Sequence, residues 1–233
     1  MKKERFHIGA VPAILYGDPA DRGYLFLHGQ MGRKEEAEPF AQIVCPGGFQ
    51  VLSIDLPGHG DRQGRGEELF PWTAVPDIRT ALDFAKRRWN TVSLRATSIG
   101  AYFALLAFDA PQQALLVSPV LDMEALIQTM MGWAGVTEEQ LREQGETAVP
   151  SGQTLSWRYL CWVREHPIQT WTCPIHILYG SEDALIPRRT VEAYARQHSA
   201  ALTVMEGGEH WFHTPEQTAF LGEWETSSCL LNS

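Results

Sequence analysis

Apolar positions along the chain follow two rhythms: short continuous runs, and longer stretches in which they recur every three or four residues. The runs Tyr24–Leu27, Gln50–Asp55, Val92–Thr97, Ala114–Val117, Pro174–Tyr179 and Leu202–Met205 have the length and side-chain content of buried strands. Helical patterns lie among them. One runs from Lys34 to Val44 and stops at Pro46-Gly47-Gly48; another lies within Pro71 to Arg88, with Ile78, Leu82 and Ala85 on one face. A third covers the apolar stretch Ala101–Leu106, and a fourth runs from Arg188 to about Gln197. Phe6 to Tyr16, around Pro12, reads as an edge hairpin at the start of the sheet, and Pro215 to Glu225 as a closing helix. This alternation predicts an α/β fold with a mostly parallel sheet and right-handed crossovers.

From Val120 to about Thr172 the alternation breaks. Leu121, Leu126, Ile127, Met130, Met131 and Trp133 come first, then a short helix capped at Thr137 and ended by Gly145. Trp157, Tyr159, Leu160, Trp162 and Val163 follow in a further helix. The expectation is a single domain over residues 1–233 carrying a helical lid at about 120–172. Met130, Met131 and Trp133 are its candidate pocket residues, joined by Trp211 from near the end of the chain.

A serine stands where the strand Val92–Thr97 passes into the apolar helix. Such a turn strains the residue at its apex and needs small residues two places before and after it, which Ala96 and Gly100 supply. The Ser98 hydroxyl would then stand at the carboxyl end of a sheet, beside free amides at the positive end of a helix. Ala96-Thr97-Ser98-Ile99-Gly100 resembles the Gly-x-Ser-x-Gly elbow of the α/β-hydrolase family, with alanine in the first place. Asp55-Leu56-Pro57-Gly58-His59-Gly60 is a second and more specific resemblance, and Gly180-Ser181-Glu182-Asp183-Ala184-Leu185-Ile186-Pro187 matches where that family carries its acid. Glu206-Gly207-Gly208-Glu209-His210 matches the placement of its histidine.

The resemblance implies a three-layer α/β-hydrolase fold, a mostly parallel central sheet flanked by helices. It implies Ser98 as nucleophile, His210 as general base and Asp183 as its orienting acid, with His213 the rival to His210. The backbone amides of Gln30, after His28-Gly29, and of Ile99 would form the oxyanion hole. Asp55 and His59 are assigned to holding turns, His28 to shaping its loop, and Ser118 to a neighbouring position, because Pro119 removes an amide donor there. The activity so implied is that of a serine carboxylesterase, cleaving small or medium acyl esters through an acyl-enzyme. A thioesterase, an acyl-peptide hydrolase or a carbon-carbon bond hydrolase would use the same residues, and a noncatalytic binding protein could keep the fold. No metal or organic cofactor is called for.

Composition changes this picture little. Hydrophobic residues at 44% and charged ones at 20% describe an ordinary soluble globular chain. A formal net charge of -9 argues against nucleic-acid and anionic-membrane partners, leaving a small-molecule acyl ester as the expected partner. The basic start Met1 to Arg5 is followed by no apolar run of signal-peptide length, and no stretch is long enough for a membrane span. A cytoplasmic location is therefore expected. Cys45, Cys161, Cys173 and Cys229 are far apart without metal or redox spacing, and read as reduced, noncatalytic thiols. The sequence specifies no oligomeric state.

Overall fold

The computed structural model describes residues 1–149 and 154–230. The chain begins with the hairpin β1 (Lys3–Ile8) and β2 (Val11–Tyr16), then β3 (Arg22–Leu27), α1 (Glu38–Val44), β4 (Gln50–Ile54) and α2 (Pro71–Arg88). There follow β5 (Thr91–Thr97), α3 (Ile99–Ala107), β6 (Ala114–Val117), α4 (Met123–Ala134) and α5 (Glu138–Gln144). A small hairpin, β7 (Glu146–Ala148) and β8 (Thr154–Ser156), leads into α6 (Trp157–Glu165). The chain closes with β9 (Ile175–Gly180), α7 (Arg188–Gln197), β10 (Ala201–Met205) and α8 (Pro215–Leu230).

Eight strands form one sheet in the order β1-β2-β4-β3-β5-β6-β9-β10. β1 and β2 are antiparallel to each other, as β2 is to β4; every pairing from β4 to β10 is parallel. Six carboxyl ends therefore lie along one edge. The order reverses direction at β3, so a crevice opens between the chain ends that leave β3 and β5.

Period-two alternation along the strands distributes side chains between two helical layers. On β3, Leu25 and Leu27 enter the core shared with α2 and α3, whereas Tyr24 and Phe26 enter the core shared with α1 and α8. On β6, Leu116 goes to the first core and Leu115 and Val117 to the second. The result is the three-layer arrangement of the α/β-hydrolase fold. β1 ends the sheet with a largely exposed strand, Lys-Glu-Arg-Phe-His-Ile, whose charges discourage further pairing.

Two buried ion pairs tie layers together. Arg95 on β5 donates to the Glu225 carboxylate of α8 at 2.8 Å, each side chain 4% exposed, and its guanidinium lies over the Phe26 ring. Burial pushes the Glu225 carboxyl above its usual range, and Arg95 opposes that shift. At the end of β4, the buried Lys34 ammonium meets Asp55 at 2.6 Å and Asp61 at 2.8 Å. All four cysteines are free thiols.

Between β6 and β9, which are neighbours in the sheet, the chain passes through α4, α5 and α6; residues 150–153 of that segment lie outside the described residues. The Thr137 cap is present: its hydroxyl accepts from the Gln140 amide, and the Gln140 side chain accepts from the Thr137 amide. Arg164 of α6 bridges Glu124 of α4 and Glu138 of α5, fastening the three helices to one another. The hairpin β7–β8 was not expected in this segment. Two of the other elements also differ in extent: Lys34–Ala37 is a 3-10 turn before α1, and α8 continues five residues beyond Glu225.

Candidate active site

Ser98 occupies the turn between β5 and α3, with φ 51° and ψ -120°, a conformation that side-chain-bearing residues seldom adopt. What holds it there is close packing. A Cβ on Gly100 would stand 2.4 Å from the His28 carbonyl oxygen, so only glycine lets the first turn of α3 pass the end of β3. Ala96, buried in β5, leaves the turn intact. The Ser98 amide donates to the Val117 carbonyl, and the Ser98 carbonyl accepts from Val120, binding the elbow to the end of β6.

His28, at the end of β3, is fully buried. Its Nδ1–H donates to the Gly29 carbonyl at 2.8 Å and its Nε2 accepts from the Leu56 amide at 3.1 Å, joining the loops after β3 and β4. Burial lowers its pKa to about 4, which keeps the ring in the neutral form that this pair of bonds requires. This is the loop-shaping role expected of it. Asp55 likewise accepts from the Lys34 and Asp61 amides, and a Cβ on Gly60 would collide with its carboxylate.

The loops after β9 and β10 are stitched together. A Cβ on Gly180 would lie 2.3 Å from the Gly208 carbonyl, the Glu182 amide donates to that carbonyl, and the Gly207 amide donates to the Ser181 hydroxyl. These contacts bring Asp183 and His210 face to face. Asp183 Oδ1 accepts from the Leu185 and Ile186 amides at 2.8 and 2.9 Å, leaving Oδ2 to accept from His210 Nδ1 at 2.6 Å. A carboxylate only accepts, so Nδ1 carries the proton and Nε2 is the acceptor for the Ser98 hydroxyl, 2.8 Å away. A hydroxyl, an imidazole and a carboxylate thus stand in series, drawn from three separate strand ends. Ser98 is 5% and His210 3% exposed. Such a series can move a proton from the hydroxyl to the ring while the carboxylate stabilises the resulting cation.

His213 lies elsewhere. It is exposed, and its Nδ1 faces Glu209 at 3.3 Å.

Above Ser98 opens a cavity of about 640 Å³, between the sheet edge and the α4–α6 segment. Gln30 and Ile99 both line it. Ile99 is the first residue of α3, so its amide has no intrahelical acceptor. Of the candidate pocket residues, Met130, Trp133 and Trp211 line the cavity. Met131 does not fit that expectation: it is 5% exposed and packed into the core. The reason is helical geometry, since consecutive residues point about 100° apart. The positions on α4 that face the cavity are Met123, Leu126, Ile127, Met130, Trp133 and Ala134, a face of about 3.6-residue period that Met131 falls off. Tyr159 of α6 and Leu185 of the loop after β9 are among the other residues of the wall. His59, which the motif assigns to its turn, lines it too. Three large side chains at the rim are open to solvent: Met31 is 83%, Trp133 63% and Trp211 51% exposed.

Among the described residues, no three His, Cys, Asp or Glu side chains come together as a metal-binding group, and no helix is long and apolar enough to cross a membrane.

The residues that carry this geometry fall within a match to the family model for the alpha/beta hydrolase family, over residues 24–222, and the chain belongs to that family. Its structural relatives include Est1E from Butyrivibrio proteoclasticus, solved with ferulic acid bound, at 17% identity and a TM-score of 0.80, covering 97% of this chain and 98% of that one. Mouse alpha/beta hydrolase domain-containing protein 10 is similar at 16% identity and a TM-score of 0.75, covering 100% and 99%. The Pyrococcus furiosus esterase Pf2001 follows at 15% identity and a TM-score of 0.65, covering 96% and 90%. No curated protein sequence matches the chain significantly.

Proposed function

We propose that this protein is a serine hydrolase that cleaves carboxylic esters of small or medium acyl groups through an acyl-enzyme. The observation that carries the reading is the Ser98–His210–Asp183 series lying beneath a largely apolar cavity of ester-sized volume. In this mechanism His210 Nε2 takes the hydroxyl proton as Ser98 Oγ attacks the acyl carbonyl. Asp183 holds the ring in the required tautomer and stabilises its cation. The amides of Gln30 and Ile99 stabilise the oxyanion, and His210 returns the proton to the leaving alcohol. A water activated by the same ring then releases the acid from Ser98. The segment from α4 to α6 acts as the lid, its apolar stripe receiving the acyl group. Relatives whose names describe esterases share this fold, which favours the same class of reaction.

The direct test is covalent labelling by a fluorophosphonate, with hydrolysis of p-nitrophenyl acetate and butyrate measured in parallel. The label is expected on Ser98, identified by peptide mass. His213→Ala is expected to retain labelling and to change kcat/KM by less than about threefold, as an exposed side chain with a weak surface partner should. Labelling elsewhere, or loss of both readouts in that variant, would refute the assignment.

A further inference from the structure

Among the described residues, His59 is the one buried histidine that lines the cavity and is not part of the Ser98–His210–Asp183 series. Its backbone fixes it on both sides: its amide donates to the Leu56 carbonyl at 3.0 Å, and its carbonyl accepts from the Arg62 amide at 2.9 Å. The ring is fixed as well. Nδ1 lies 2.8 Å from the Pro57 carbonyl, and the ring packs against His28 with centroids 5.4 Å apart. A carbonyl oxygen can only accept, so Nδ1 carries the proton and Nε2 of the neutral ring presents a lone pair. Nε2 makes no hydrogen bond to the described residues, and it is not among the polar atoms sealed away from any contact. The ring is only 6% exposed. An acceptor so placed is satisfied by water when the cavity is free and by a donor on whatever displaces that water.

Strand order gives its direction from the reacting centre. The loops at the carboxyl edge run from His59 after β4, through Gln30 after β3, to Ser98 after β5, with Asp183 and His210 on the far side after β9 and β10. The leaving oxygen must lie against His210, which protonates it, so the alcohol occupies the side of Leu185 and Trp211. The acyl chain extends the other way, past the Gln30 amide and towards His59. The chain leaves β4 two strand spacings, on the order of 10 Å, from the elbow, and His59 lines the same cavity as Ser98; a span of that order is bridged by a hydroxyl roughly five or six bonds from the ester carbonyl.

We propose that His59 Nε2 is a specificity determinant on the acyl side, accepting a hydrogen bond from a hydroxyl or amide N–H borne by the acyl group. The preferred substrates are accordingly esters of hydroxylated acids, in which a polar group ends an otherwise apolar chain. This inference rests on the esterase reading above and names the substrate class of the same site.

The test compares methyl hexanoate, methyl 6-hydroxyhexanoate and methyl 6-methoxyhexanoate, with the 3-hydroxy isomer as a shorter-reach control. Wild-type enzyme is expected to favour the 6-hydroxy ester over both the methoxy ester and the unsubstituted hexanoate by tenfold or more in kcat/KM, since the ether keeps the oxygen but replaces the donor hydrogen with a methyl group, and the hexanoate lacks the donor without that added bulk. In His59→Phe and His59→Asn each ratio is expected to fall to within about twofold of unity, whatever happens to the absolute rates. Near-unity selectivity in the wild type overturns the proposal without any variant, as does a ratio that survives both substitutions. A preference for a hydroxyl on the alcohol, read by comparing 2-hydroxyethyl with propyl hexanoate, also overturns it. Binding of 6-hydroxyhexanamide and 6-methoxyhexanamide to Ser98→Ala, measured by calorimetry, separates the two levels of inference. Selective binding of the hydroxy compound by a protein whose parent hydrolyses no ester would sustain the His59 contact and refute the esterase reading.

Discussion

Replacing Ser98 with alanine is expected to lower kcat/KM for p-nitrophenyl butyrate on the order of 10⁴- to 10⁶-fold, and His210→Ala by a similar factor. The two losses should not add. Each removes a member of one hydrogen-bonded unit, Ser98 to His210 at 2.8 Å and His210 to Asp183 at 2.6 Å, so the double variant should be no slower than either single one. Asp183→Asn keeps much of the shape. Its amide NH₂ cannot accept from His210 Nδ1–H where Oδ2 now does, so the favoured tautomer is lost and a fall of about 10⁴-fold in kcat is expected. Residual turnover would come from the amides of Gln30 and Ile99 and from binding alone. The measurement is steady-state kinetics on variants whose circular dichroism and melting match the wild type. A Ser98→Ala protein that keeps even a tenth of the activity would sink the nucleophile assignment.

The largest expected effect on stability comes from a residue remote from the chemistry. Lys34→Met leaves the Asp55 carboxylate, fully buried, without its ammonium partner, while the Lys34 and Asp61 amides still hold it in place. Stranding one member of a buried pair typically costs about 3–5 kcal/mol. Asp61, 60% exposed at the outer end of the same network, gives water some access and favours the lower end, about 3 kcal/mol. For a chain of 233 residues that corresponds to a fall in Tm of about 6–12 °C. Adding Asp55→Asn removes the stranded charge and should recover part of the loss, whereas at two unrelated sites the changes would simply add. Differential scanning calorimetry on the single and double variants decides the matter.

The parallel strands were legible because each is a short apolar run closed by a turn signal, and the helices because their apolar spacing is regular and their stops are Gly or Pro. Ser98, Asp183 and His210 were legible as candidates because their surroundings resemble the family's motifs and because each follows a strand, parallel strands bringing their carboxyl ends to one edge. Other features depend on partners far away in the sequence. Arg95 stands out as a charge inside an apolar strand, yet nothing near it names Glu225, 130 residues on, as its counter-ion. The hairpin β7–β8 has only three residues in each strand, too few for a period to register. Met130 and Met131 are equivalent as neighbouring methionines, and only the phase of α4 separates a cavity wall from the core. His59 was hidden by its motif. The turn-holding role that the resemblance implies describes its Nδ1 and its backbone, and leaves the other face of the ring unassigned.

The solvent-exposed collar of Met31, Trp133 and Trp211 has a colloidal consequence. Bulky apolar groups at one end of a molecule favour mouth-to-mouth association, which would occlude the entrance. A formal charge of -9 opposes it by repulsion between like molecules. That repulsion reaches about 10 Å at 0.1 M ionic strength and only about 3 Å at 1 M, so concentrated salt turns the collar from a tolerated feature into an adhesive one.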